Sequence, residues 1–132
     1  MYVPTDKILI TGDNLTANLH PYKGHASFSD WMKALKRMKT YEIEKAVPGH
    51  GEVCGEAAID RLIAYFQKLW DLTADFVAQG RGLEIAVKTV REEMFDFFEV
   101  DPEMRKWAQM GFDMGTERLY KEIAEGSPVT KF

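Results

Sequence analysis

Apolar residues come in short unbroken runs up to about residue 55 and recur every three or four positions after it. In the first part, Ile8-Leu9-Ile10 is wholly apolar, the pattern of a strand buried on both faces. Tyr2-Val3 reads as the end of a preceding strand, with Pro4-Thr5-Asp6-Lys7 as the hairpin turn between the two. Gly12 permits a sharp turn, which places Asp13 at the strand's end, pointing out of the sheet. A second run, Ala46-Val47, meets Pro48, which should stop the ladder and leave His50 held between Gly49 and Gly51. Between the runs, Asn14 to Ala26 breaks every period and reads as irregular. Ser27 then caps a helix, with Asp30 three residues on, and Trp31, Ala34, Leu35 and Met38 predict its apolar stripe. Lys33, Lys36, Arg37 and Lys39 fall off that stripe and read as a solvated face.

From about Glu56 the periodicity is helical. Ile59, Leu62, Ile63, Phe66, Leu69, Trp70, Thr73, Phe76 and Val77 predict a long helix closed by Gly80. Gly82 opens the next, with Leu83, Ala86, Val87, Val90, Met94, Phe97 and Phe98 on its stripe. Asp101-Pro102 opens a third, because proline is tolerated in a first turn. Its expected stripe is Met104, Trp107, Gly111, Met114, Leu119 and Ile123, and Gly126-Ser127-Pro128 ends it. The expected fold class is therefore α+β, with a β/α segment over residues 1–55 and a helical segment over 56–132. Two or three strands cannot cover so much apolar helix surface, so the helices must pack on one another or against another chain.

Composition narrows the function classes. The 132 residues suit one domain, and 45% hydrophobic residues supply an ample core. The net charge of −4 argues against a nucleic-acid partner. The acidic excess sits in the helical part: residues 1–55 hold 7 Lys+Arg against 6 Asp+Glu, residues 56–132 hold 10 against 15. One cysteine, Cys54, excludes an internal disulfide framework. Met1-Tyr2-Val3-Pro4 lacks the features of a secretory signal, and no apolar run reaches the roughly 20 residues of a membrane span, so the cytoplasm is the expected compartment and no membrane partner is expected.

The candidate chemistry lies at the two glycine-flanked turns, which present Asp13 and His50. A carboxylate and an imidazole at neighbouring strand ends can share a metal ion. His20 either contacts substrate or braces its loop through a neighbouring carbonyl. Cys54, close behind His50, is a third ligand or a small buried filler. Glu52 is an outer partner of the metal ligands or a solvated turn residue. His25 receives no role.

Taken together, Leu9-Ile10-Thr11-Gly12-Asp13, His20-Pro21-Tyr22, Trp31 to Leu35 and Val47-Pro48-Gly49-His50-Gly51 resemble the second half of the metallo-β-lactamase-fold hydrolases. The match runs from about Tyr2 to about Gly55. More loosely, Glu117-Arg118-Leu119-Tyr120-Lys121-Glu122-Ile123 resembles the tail of a relay-type, glyoxalase II-like branch. The resemblance implies a four-layer αββα hydrolase in which Asp13 bridges two metals and His50 binds the second. Zinc, iron or manganese is the implied metal, and an ester, thioester, lactone, lactam or phosphoester the implied small-molecule substrate. The family's His-x-His-x-Asp-His cluster is missing, and the three histidines stand at 20, 25 and 50. The resemblance thus implies a segment that begins inside the fold, inactive by itself, completed by an N-terminal half or a homo-oligomer. A non-catalytic interaction or dimerisation module, built on a half-fold or on the helical tail alone, is the competing expectation.

Overall fold

The computed structural model describes residues 1–21 and 27–126. Tyr22, His25 and the Ser127-Pro128 end signal lie outside the described residues. A three-stranded sheet is ordered β1-β2-β3, from Tyr2–Val3, Ile8–Thr16 and Lys45–His50. β1 and β2 are antiparallel, with Tyr2 opposite Leu9, as the short turn between them requires. β2 and β3 are parallel, with Leu9 opposite Ala46 and Ile10 opposite Val47. Parallel strands need a crossover, and helix α1 (Phe28–Met38) supplies it. The Ser27 side chain accepts from the Asp30 N–H at 3.4 Å, the cap expected from sequence.

Three expectations for this segment are corrected. The sheet is covered on one face only: Leu9 and Ala46 are buried, whereas Ile8 and Val47 are half-buried and Ile10 is 37% exposed. An apolar triplet does not distinguish a doubly buried strand from one whose outer face is open. β2 does not end at Gly12 but continues, with register shifts, to Thr16, so part of the expected irregular segment is strand. Pro48 does not stop the ladder; it pairs with Gly12 inside β3, which tolerates it because β3 is the sheet's last strand. In α1 the inward residues are Phe28, Met32, Leu35 and Met38, while Ala34 is half-buried. Trp31 is also half-buried, and its Nε1–H donates to the Asn14 carbonyl at 2.9 Å.

The helical part is α2 (Glu56–Ala78), α3 (Leu83–Met94) and α4 (Arg105–Ala124). Gly80 follows α2 at φ +68, the left-handed conformation that glycine adopts without a Cβ clash, and Gly82 is the N-cap of α3. The α2 stripe lies as expected, with Ile59, Leu62, Phe66, Leu69, Trp70 and Thr73 buried, and it also buries Tyr65. Phe97 and Phe98 lie beyond α3, around a 3-10 turn over Phe95–Phe97. A second 3-10 turn, Pro102–Met104, capped by the Asp101 side chain, leads into α4.

The stripe expected for α4 fails in its first half, at Met104, Trp107 and Met114, while Leu119 is buried and Ile123 packs against the core as expected. Its buried residues are Phe112, Gly115, Thr116 and Leu119, whereas Met104, Trp107, Met110 and Met114 are exposed, Trp107 by 67%. Positions 112, 115, 116 and 119 have ideal helical spacing, but glycine and threonine carry little hydrophobic signal. One core cluster joins Leu9, Leu15 and Ala46 of the sheet to α1 and to Phe66, Met94, Phe98, Phe112 and Leu119 of the helices. The helices therefore pack on one another and on the covered sheet face.

Candidate metal corner and adjoining cleft

Asp13 does not stand at a strand end as expected but inside β2, where the register shifts between Gly12 and Thr16 bring it beside His50 at the end of β3. Asp13 Oδ1 lies 3.4 Å from His50 Nε2, and both side chains are mostly exposed, by 84% and 66%. Glycines set this approach. Gly12 sits at φ +59, where a side chain would be strained. A Cβ on Gly49 would lie 2.1 Å from Asp13 Oδ1 and 2.8 Å from the Asp13 N, so only glycine lets β3 pass this close. Gly51, at φ +96, packs against Ala17, whose carbonyl oxygen would be 2.7 Å from an added Cβ. The Ala17 N–H donates to the His50 carbonyl at 3.0 Å and fixes the turn from the other side.

The donor set fits part of a metal site. Two ligands at tetrahedral vertices, each about 2.0–2.1 Å from zinc, lie about 3.3 Å apart, close to the observed separation. Among the described residues, no group of three or more His, Cys, Asp or Glu side chains is placed to hold an ion. Asp13 and His50 thus offer two donor atoms at a spacing one ion could share, and no third donor joins them among the described residues.

Cys54 is placed differently from a ligand. It pairs with Ala46 in a short antiparallel bridge, and its thiol donates to the Ala46 carbonyl at 3.6 Å. Burial pushes the thiol pKa up. Glu52 and Val53 are exposed on the turn beyond His50.

His20 is held by side chains distant in sequence. Its Nε2–H donates to the Phe95 carbonyl at 2.7 Å, because a carbonyl can only accept. In that tautomer Nδ1 accepts from the Tyr65 hydroxyl at 3.1 Å. The ring stacks on Phe95 and meets Phe98 and Phe112 edge-on. Tyr65 is buried, which pushes its pKa far up and keeps its hydroxyl protonated. One turn before Tyr65 on α2, Arg61 donates to Asn18 Oδ1 at 2.9 Å and to the Phe97 carbonyl at 3.0 Å. Arg61 and Tyr65 therefore grip the loop after β2 at Asn18 and His20. Neither was singled out from sequence, although their spacing of four on α2 put them on one helix face.

His20 and His50 border one cleft of about 380 Å3, closed by Leu19 on one side and Val100, Met104 and Ala108 on the other. Beyond Leu19 and Glu99–Asp101 it adjoins a more polar hollow of about 660 Å3, lined also by Arg61, Glu52 and Cys54. Among the described residues, no helix is long and apolar enough to cross a membrane. Neither a protein-family model nor a curated protein matches the chain.

Proposed function

We propose that the chain is the C-terminal part of a metal-dependent hydrolase of the metallo-β-lactamase fold, in which Asp13 and His50 hold a shared metal ion. The approach of Asp13 Oδ1 to His50 Nε2 within 3.4 Å, beside a Gly49 that has no room for a side chain, carries this reading. The open sheet face supports it. Val3, Ile8, Ile10 and Val47 share that face by register, opposite the helix-covered one, as a second sheet would require. Zinc, iron or manganese suits an imidazole–carboxylate pair. When bound, the ion lowers the pKa of water and supplies hydroxide to attack an ester, thioester, lactone or phosphoester. Asp13 contributes charge and a second carboxylate oxygen for a neighbouring ion. His50 would contribute a ring nitrogen from a backbone anchored through Ala17. A catalytic zinc usually takes three protein ligands, so this chain alone is read as a weak, inactive metal site awaiting further donors.

Titrating zinc into the protein while following the His50 ring by NMR tests the assignment. The expected result is a saturable shift of the His50 signals that disappears in Asp13→Ala and in Gly49→Ala, which forces the strands apart. A His50 ring indifferent to zinc, or one responding equally without Asp13, overturns it.

A second reading, an interaction module, draws on the same open face: an apolar sheet surface with free edges invites another chain. Loss of self-association or partner binding in Ile10→Lys, with no zinc response at His50, would favour it.

A further inference from the structure

The geometry points to the cleft beside His50 as the subsite for an uncharged, apolar group of the substrate. The chemistry at its end rests on the hydrolase reading, whereas the binding does not.

The cleft wall is mainly apolar, lined by Leu19, Val100, Met104 and Ala108. Its volume of about 380 Å3 is at the lower end of the roughly 300–1,000 Å3 typical of small-molecule sites. Its few polar groups are mostly committed elsewhere. The Thr16 hydroxyl donates to the Leu19 carbonyl at 2.9 Å, and both His20 ring nitrogens have protein partners. What remains at the rim is acidic: Glu99 and Asp101, both exposed. No Lys or Arg lines the cleft among the described residues. With no metal at the His50 corner, an anionic group entering it would face two carboxylates and, among the described residues, no lysine or arginine, a built-in repulsion against acidic substrates. A neutral apolar group gains by burial alone. His50 stands on the border, so a group seated against Met104 and Ala108 leaves its polar linkage next to the Asp13–His50 corner.

Two ligands of matched shape separate the possibilities: N-butylbenzamide, which is neutral, and 4-(butylcarbamoyl)benzoate, its anionic analogue. Binding is read from the Met104 methyl signal, assigned with Met104→Leu, in protein with and without a chelator. The neutral amide should shift the Met104 methyl saturably, chelator or not, and Ala108→Phe should abolish the shift. The benzoate should bind at least about tenfold more weakly, equal to about 1.4 kcal/mol. That gap should close when Glu99→Gln is combined with Asp101→Asn, a change that keeps a good cap for the turn into α4. Equal binding of the two ligands, or a Met104 methyl that stays still while other signals move, overturns the subsite. Binding of the amide without a zinc response at His50 sinks the hydrolase reading and leaves the subsite standing. A zinc response with no movement of Met104 does the reverse.

Discussion

His20 and His50 border the same cleft, yet they are held in opposite ways. His20 sits inside four aromatic rings with both nitrogens bonded to groups 45 and 75 residues away in sequence. His50 stands in the open, positioned by backbone: two glycines, a parallel strand and the Ala17 N–H. The first arrangement maximises packing and satisfies buried polar groups, as a structural residue must. The second leaves the imidazole open to solvent, with its Nε2 3.4 Å from the Asp13 carboxylate. The same contrast runs through the molecule. The helices share one sealed core with the inner sheet face, while the outer sheet face and the strand ends are uncovered.

Truncating each side should give the largest difference. Phe66 is 1% exposed and meets Phe28, Trp31 and Tyr65, so Phe66→Ala should destabilise the fold by about 3–5 kcal/mol. Ile10→Ala, on the open face, should cost under about 1 kcal/mol. Chemical denaturation of both variants checks this. A large cost at Ile10 would mean that its face is covered in solution, and the contrast between the two faces would fail.

His20→Ala sharpens the comparison at the cleft itself. It takes one partner from the Tyr65 hydroxyl and one from the Phe95 carbonyl, so a loss of about 1–3 kcal/mol is expected. The zinc response of His50 should survive unchanged. If His20→Ala left stability intact and instead weakened ligand binding in the cleft, His20 would belong to the substrate side and its aromatic box would be incidental.

How legible all this was in the sequence follows from the range of the interactions. α2 could be read because its buried positions are large, apolar and spaced by the helical period, and the end of β3 because His50 stands there between two glycines, whereas Asp13 lies inside β2. The bond from Tyr65 to His20 could not, since nothing local in a tyrosine in the first half of a long helix tells which loop it will meet. The inward face of α4 misled for a different reason. Trp107, Met110 and Met114 have helical spacing too and outweigh Gly115 and Thr116 in hydrophobicity, yet the packed face is the one with small residues. The open face of β2 was hidden because burial on a second side depends on what covers it, and Ile8-Leu9-Ile10 reads the same either way.

The smallest effect concerns Glu122, on α4, where the sealed half carries a polar group at some cost. Its Oε2 is buried without a partner among the described residues, and desolvation pushes the carboxyl pKa up from its ordinary 4.5. Hydrogen bonds from the Ser27 side chain and the Phe28 backbone, at the start of α1, oppose that shift without cancelling it. Because the folded-state pKa is raised, the group favours folding below the ordinary pKa, and that contribution is lost as pH rises through the raised value. Glutamine keeps the shape and does not titrate. Glu122→Gln should therefore gain stability relative to the parent as pH climbs from about 4.5 towards neutrality, and the difference should then level off. Denaturant midpoints of the two proteins between about pH 4 and pH 8 measure it. A gap that widened in the opposite direction would mean that the contacts with Ser27 and Phe28 hold Glu122 ionised, and that this end of the helical half is built around a charge rather than burdened with one.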